Sequence, residues 1–279
     1  MMIGIQQLHE YGLAPGPNWR EWEMAREVQH RSFPTGHPYI AGLDYYSDWR
    51  PADGLGRDYL DYFELPHGNL GLAIGDVAGK GLAAALLTSS LHGLARALRH
   101  GYGSLADLAS SIDALFYEVC PDSSYATMFV ARYDPDRSLL HYVNAGHEPP
   151  MVLRKTARGY WPVELEPTGP VIGMLRKSAF DEGVISLAPG DMLVAYTDGL
   201  CETPNSRGEE WGFQRLLAAI QSASYRKSRD IVERVLEAAE SFASGGPRYD
   251  DMTLWIGRVE ELTCRTLTRE ESVPLEAAA

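Results

Sequence analysis

The chain has 279 residues, enough for one large domain or two small ones, and its 45% hydrophobic content with 23% charged residues suits a globular protein with a sizeable core. Its 38 Asp and Glu outnumber 25 Lys and Arg, for a formal net charge of −13. That balance argues against nucleic acid or an anionic membrane surface as a partner, since both need clustered cations.

Residues 1–17 are punctuated by Gly and Pro and read as irregular. Asn18 with Glu21 gives the capping-box pattern, and the helix it opens runs through Met24, Ala25 and Val28 until Pro34 stops it. Trp19 and Trp22 on it read as packing residues, with a dimer or regulator contact as the alternative. From Gly42 the texture becomes strand-like. Residues 59–65 and 69–76 flank Pro66-His67-Gly68 as a hairpin. A helix follows, with leucines at 82, 86, 91, 94 and 98 close to helical periodicity. Ser104 and Asp107 open a second helix with the stripe Leu105, Leu108, Ile112, Phe116 and Val119.

Strands are expected over 126–133 and 139–144 around an Asp134–Arg137 turn, then over 151–154, 184–187 and 192–197. Helices near 212–223 and 229–242 precede Gly245-Gly246-Pro247 and a closing strand, 252–259. Strands and helices come in blocks, which favours antiparallel sheets with helices outside over a doubly wound parallel sheet. The organisation expected is an N-terminal segment and helix over 1–35, one domain over 36–260 and a flexible tail over 261–279. Cys120, Cys201 and Cys264 are odd in number and lack zinc-ligand spacing, the N-terminus has no secretory pattern, and no apolar run is long enough to span a membrane. A reduced, cytoplasmic protein is the expectation.

Five aspartates stand at four strand ends or strand-like stretches, near glycine or a second acid: Asp44, Asp76, Asp198 and the Asp250-Asp251 pair. Any one alone reads as a turn residue. Together, on the rim of a sheet, they would supply the oxygen ligands that Mg²⁺ or Mn²⁺ prefer. Gly75–Gly81 departs from a P-loop by one residue of spacing and has Gly81 where a Ser/Thr is needed, so Lys80 reads as a turn lysine. His147 stands apart from other histidines and reads as shaping its loop, with zinc ligation the alternative. Residues 201–211 are charged and contain Gly208, and read as a mobile flap or a plain surface loop. Cys201, three residues from Asp198, reads as inert.

Five stretches in order carry a family resemblance: Gly42-Leu43-Asp44-Tyr45-Tyr46, Ile74-Gly75-Asp76-Val77-Ala78-Gly79-Lys80-Gly81, Asn144-Ala145-Gly146-His147-Glu148-Pro149-Pro150, Tyr196-Thr197-Asp198-Gly199-Leu200-Cys201-Glu202 and Asp250-Asp251-Met252-Thr253. The chain resembles the SpoIIE/RsbU branch of the PP2C-like (PPM) serine/threonine phosphatases. The resemblance implies an α+β fold, an αββα sandwich of two antiparallel sheets flanked by helices. It implies two divalent cations, Mn²⁺ or Mg²⁺, with Asp76 bridging both, the Val77 carbonyl on one, Asp198 and Asp250 on the other, Asp44 nearby and Asp251 a weaker candidate than Asp250. Asp76 and Asp198 would then act through a metal-activated water, with His147 a candidate general acid. The family's first motif usually reads Gly-Gly-Asp-Tyr-Tyr-Asp, from which residues 42–48 depart at Leu43 and Ser47-Asp48, and no arginine is clearly placed to grip phosphate. The implied substrate is a phosphorylated signalling protein such as a STAS-type anti-sigma-factor antagonist, with a homodimer through the N-terminal helix a further expectation. A catalytically silent scaffold and another two-metal phosphoester hydrolase are the competing readings.

Overall fold

The computed structural model describes residues 19–261 except 35, 53, 122–123, 245 and 247. The expectations for residues 1–17, Asn18, Gly245, Pro247, Cys264 and the tail from residue 262 lie outside the described residues.

Among the described residues ten strands form two antiparallel sheets. In chain order they are β1 (Leu43–Arg50), β2 (Asp58–Leu65), β3 (Asn69–Val77), β4 (Ala126–Asp134), β5 (Leu139–Ala145), β6 (Met151–Thr156), β7 (Gly159–Glu164), β8 (Gly183–Ser186), β9 (Met192–Tyr196) and β10 (Met252–Val259). One sheet runs β1-β10-β9-β6-β7 and the other β2-β3-β4-β5-β8. The helices are α1 (Trp19–His30), α2 (Gly81–Leu98), α3 (Leu105–Val119), the one-turn α4 (Asp198–Cys201), α5 (Gly212–Ala223) and α6 (Ser228–Phe242).

Strand side chains alternate between faces, and here both faces are buried. Ile74, Phe129, Ala195 and Trp255 fill the core between the sheets. Their neighbours Ala73, Met128 and Val130 turn outward beneath α2 and α3. On the other sheet Val194, Tyr196, Leu254 and Ile256 turn outward beneath α5 and α6. Three apolar layers therefore stack as helices, sheet, sheet, helices, the αββα arrangement expected. Among the described residues no helix is long and apolar enough to cross a membrane.

Local signals place most elements. Ser104 caps α3 as expected, its hydroxyl accepting from the Asp107 amide at 3.1 Å. His67 and Gly68 turn the β2–β3 hairpin at positive φ, 64° and 69°. The leucine stripe of α2 needs correction. Leu82 and Leu86 are 49% and 60% exposed, while the buried face is Ala84, Ala85, Leu87, Thr88, Leu91, His92 and Ala95. Small residues and a threonine let this helix lie close to the sheet. Val119 of the α3 stripe is also exposed, at the end of its helix. The hairpin strand β7 and the single turn α4 were not expected from the sequence.

Candidate metal centre

One end of the sandwich collects the ends of β3 and β9 and the starts of β2 and β10. Asp76 and Val77 close β3, and Asp58 opens β2 directly opposite Asp76 in the register. β9 ends at Tyr196, and Asp198 is the first residue of α4. Asp250 and Asp251 immediately precede β10. Gly199 allows the closest approach: a Cβ there would lie 2.2 Å from the Asp251 carbonyl oxygen and 2.9 Å from the Asp250 Cβ.

The charges of Asp198 and Asp250 reach Asp76. Burial pushes the Asp76 carboxyl up to about 7; Arg57 opposes this, while the charges of Asp198, Asp250 and Asp251 add to it. Asp198 is raised by burial and then by Asp250. Asp76 Oδ1 is buried with no hydrogen-bond partner among the described residues. The Arg57 guanidinium is the cation at this site: Nη2 pairs with Asp250 Oδ1, Nη1 donates to the Gly79 carbonyl at 2.8 Å, and Nη1 lies 3.9 Å from Asp76 Oδ2.

Crowded carboxylates, an orphaned buried oxygen and a guanidinium among them fit a site built for positive charge. The donors are hard oxygens, suited to Mg²⁺ or Mn²⁺. Among the described residues no group of three acidic, histidine or cysteine side chains is already drawn into ligand geometry. The site as it stands is held by Arg57.

Beneath it lies Asp58, fully buried. Its Oδ2 accepts from Thr197 Oγ1 at 2.8 Å and from Thr253 Oγ1 at 2.5 Å. Burial and the charges of Asp251 and Asp76 push its carboxyl well up, against the pull of the two threonine hydroxyls.

Other expected site residues fall elsewhere. Asp44 pairs with Arg258 at the far end of β10, six residues along β1 from the Arg50–Met252 pair. At about 3.3 Å per residue that is about 20 Å from the acidic end. Its Oδ2 instead accepts from the Ser228 amide at 2.8 Å and its carbonyl from Ser228 Oγ at 2.7 Å, capping α6. Asp48 also turns away, to the Trp49 amide at 2.9 Å and to Arg50 at 3.2 Å. Asp251 is at the site but directs both carboxylate oxygens to main chain. Oδ1 accepts from the Ala52 amide at 2.7 Å, and Oδ2 from the amides of Arg57 and, at 3.3 Å, Asp58. It is the anchor of the loop before β2.

His147 is buried, with Nδ1 3.0 Å from Thr127 Oγ1 and its amide donating to Asn144 Oδ1 at 2.8 Å. Burial pushes its pKa down to about 4, so at neutral pH it is an uncharged loop-shaping residue and a weak general acid. Its link to the site is through Thr127, which accepts from the Asp76 amide at 3.2 Å. Residues 201–211 form a tight turn rather than a free flap: Asn205 Oδ1 accepts from the amides of Arg207 and Glu209, and Trp211 is buried. Burial and then the surrounding carboxylates push the Cys201 thiol up to about 12, which leaves it un-ionised and inert. Lys80 is exposed at the start of α2.

Sequence reasoning missed Arg57 and Asp58. A signal was present. Gly56-Arg57-Asp58-Tyr59-Leu60-Asp61 fits the Gly-Gly-Asp-Tyr-Tyr-Asp pattern at four positions, Gly, Asp, Tyr and Asp, and puts its first acid at the site. Asp44-Tyr45-Tyr46 drew the match away.

The fold is that of a PP2C domain. The family profile for Stage II sporulation protein E (SpoIIE) matches residues 66–260, and the chain belongs to that family. It is 26% identical over 277 residues to Protein IcfG of Synechocystis, covering 90% of this chain and 43% of IcfG. It is 27% identical over 241 residues to the phosphoserine phosphatase RsbU of Bacillus subtilis, covering 85% of this chain and 70% of RsbU. Among solved structures, the SiaA-PP2C domain of Pseudomonas aeruginosa superposes with a TM-score of 0.73 at 18% identity, covering 86% of this chain and 96% of that domain, a likeness of fold. The chain thus spans less than half of IcfG.

Proposed function

We propose that the chain is a metal-dependent phosphoserine/phosphothreonine protein phosphatase. The observation that carries this reading is the meeting of Asp76, Asp198 and Asp250, remote in sequence, at one end of the sandwich, where the charges of the other acids raise the proton affinity of Asp76 and Asp198. Membership of the SpoIIE family and the similarity to a named phosphoserine phosphatase supply the reaction class.

Asp76, Asp198 and Asp250, with the Val77 carbonyl, would hold two divalent cations, Mn²⁺ or Mg²⁺. When bound, such ions supply water activation and neutralise phosphoryl charge. The chain's own residues do the rest. Asp58 fixes the Thr197 and Thr253 hydroxyls beneath the acids. Asp251 fixes the loop that carries Arg57. His147 and Thr127 fix the main chain at Asp76. With Cys201 un-ionised, no thiolate is available as nucleophile, which agrees with attack by water.

For the substrate we take a phosphorylated bacterial signalling protein, of which a STAS-type anti-sigma-factor antagonist is the kind the family resemblance implies. The exposed Met24 and Val28, one turn apart on α1, offer a small apolar patch that supports dimerisation through this helix. The test is Mn²⁺-stimulated release of phosphate from p-nitrophenyl phosphate and from a phosphoserine protein. Activity should vanish with chelator and in Asp76→Asn and Asp198→Asn; turnover by either variant at the wild-type rate would overturn the assignment.

A further inference from the structure

Arg57 is held at its base from four directions. The Gln29 side chain of α1 bonds both main-chain groups of the preceding residue, accepting from the Gly56 amide at 2.8 Å and donating to its carbonyl at 2.6 Å. The Arg57 amide donates to Asp251 Oδ2. Its carbonyl accepts from the Val77 amide of β3 at 3.3 Å and from Thr88 Oγ1 of α2 at 3.0 Å. With the main chain so pinned, the side chain reaches the acids with only 15% of its surface exposed. Among the described residues it is the one cation in ion-pair contact with Asp76 or Asp250.

We infer that Arg57 is a tethered counter-ion that holds the Asp76–Asp250 pair together in the metal-free protein and must leave it before a divalent cation can bind, so that this arginine sets the metal affinity. The inference rests on the metal-dependent reading above and goes beyond it. The physical argument is competition. The guanidinium occupies the Asp250 oxygen and stands beside Asp76, and a divalent ion binding the same oxygens would share the site with a fixed positive charge at contact distance. Exchange is the resolution, and the guanidinium keeps a second anchor, the Gly79 carbonyl, that involves neither carboxylate. In the alignment of Gly56–Asp61 with the Gly-Gly-Asp-Tyr-Tyr-Asp pattern, Arg57 takes the second glycine's place. A chain with glycine there has no such competitor.

The experiment is calorimetric titration of the full chain with Mn²⁺, paired with thermal unfolding in chelator, for wild type, Arg57→Met, Arg57→Gly and Arg57→Lys. Removing the competing charge should tighten Mn²⁺ binding about tenfold in the Met and Gly variants, equivalent to about 1.4 kcal/mol. The same variants should melt lower than wild type in chelator and recover with Mn²⁺. Arg57→Lys, which keeps the charge and most of the reach, should stay close to wild type in both measurements. Met and Gly variants that bind Mn²⁺ no tighter than wild type would overturn the inference, and so would an equal loss of melting temperature with and without metal, the signature of a purely structural residue. Failure of wild type and every Arg57 variant to bind Mn²⁺ would instead overturn the metal-dependent reading and the inference with it.

Discussion

Replacing Asp76 by Asn should stabilise the metal-free protein, although it destroys the proposed activity. The Asp76 carboxyl lies at about 7 in the folded chain against 3.8 as the ordinary value. The folded protein therefore holds this proton up to about pH 7, whereas the unfolded chain releases it near 3.8. Stability from this group is full below 3.8 and is lost as pH rises through 7. At pH 8 the difference amounts to about 4 kcal/mol, at about 1.4 kcal/mol for each pH unit. Asn mimics the protonated form without reproducing its geometry, so about half of that, about 2 kcal/mol, is the expected gain, or about 4–8 °C for a domain of this size. The gain should shrink to less than half at pH 5. The buried histidines His92 and His147 carry the opposite pH dependence, but they are common to both proteins and cancel in the difference. Scanning calorimetry in chelator at pH 5 and pH 8 measures it. Saturating Mn²⁺ should then raise the wild-type melting temperature and leave Asp76→Asn in place, reversing their order. An Asp76→Asn protein that melts at or below wild type in chelator at pH 8 would refute the reasoning, because the carboxylate would then be no burden on the empty site.

Two further substitutions separate anchoring from chemistry. Asp44→Ala removes the acceptor for the Ser228 amide at the start of α6, so it should cost about 1 kcal/mol in urea unfolding with kcat and Mn²⁺ affinity unchanged; a fall in metal affinity would return Asp44 to the site. Asp251→Ala strips the acceptor from three amides, of Ala52, Arg57 and Asp58, and should cost about 2–4 kcal/mol at about 1 kcal/mol or more per stranded group. A loss below about 1 kcal/mol would show that the loop finds other partners.

Most of the fold was legible because its sheets and helices are amphipathic at the right period. The α3 stripe and its Ser104 cap, and the β4–β5 hairpin around Asp134, each carry their own local signal. What failed to show was contributed by packing. On α2 leucines alternate with alanines, and periodicity alone does not say whether the large or the small residues face the sheet. The close approach chose Ala84, Ala85 and Ala95, leaving Leu82 and Leu86 outside. β7 was hidden because Pro162 and the polar flanks of Gly159–Glu164 suit an edge strand, which needs ladder bonds on one side only.

The site divides in the same way. Asp76, Asp198 and Asp250 were legible because each adjoins an apolar strand whose end is marked in the sequence. Asp44 and Asp58 look alike by that criterion: each precedes tyrosine at the start of a strand. The register separates them. β1 runs antiparallel to β10, so the start of β1 lies at the opposite end from Asp250, whereas β2 runs antiparallel to β3, so the start of β2 meets Asp76. An acid that opens a strand reaches this site only if that strand's partner ends there, a property of strand pairing that no window around Asp44 or Asp58 contains. The same logic explains Arg57: one residue before Asp58, it takes its role from the pairing that puts Asp58 opposite Asp76 and from the Gln29 and Asp251 side chains that pin its loop.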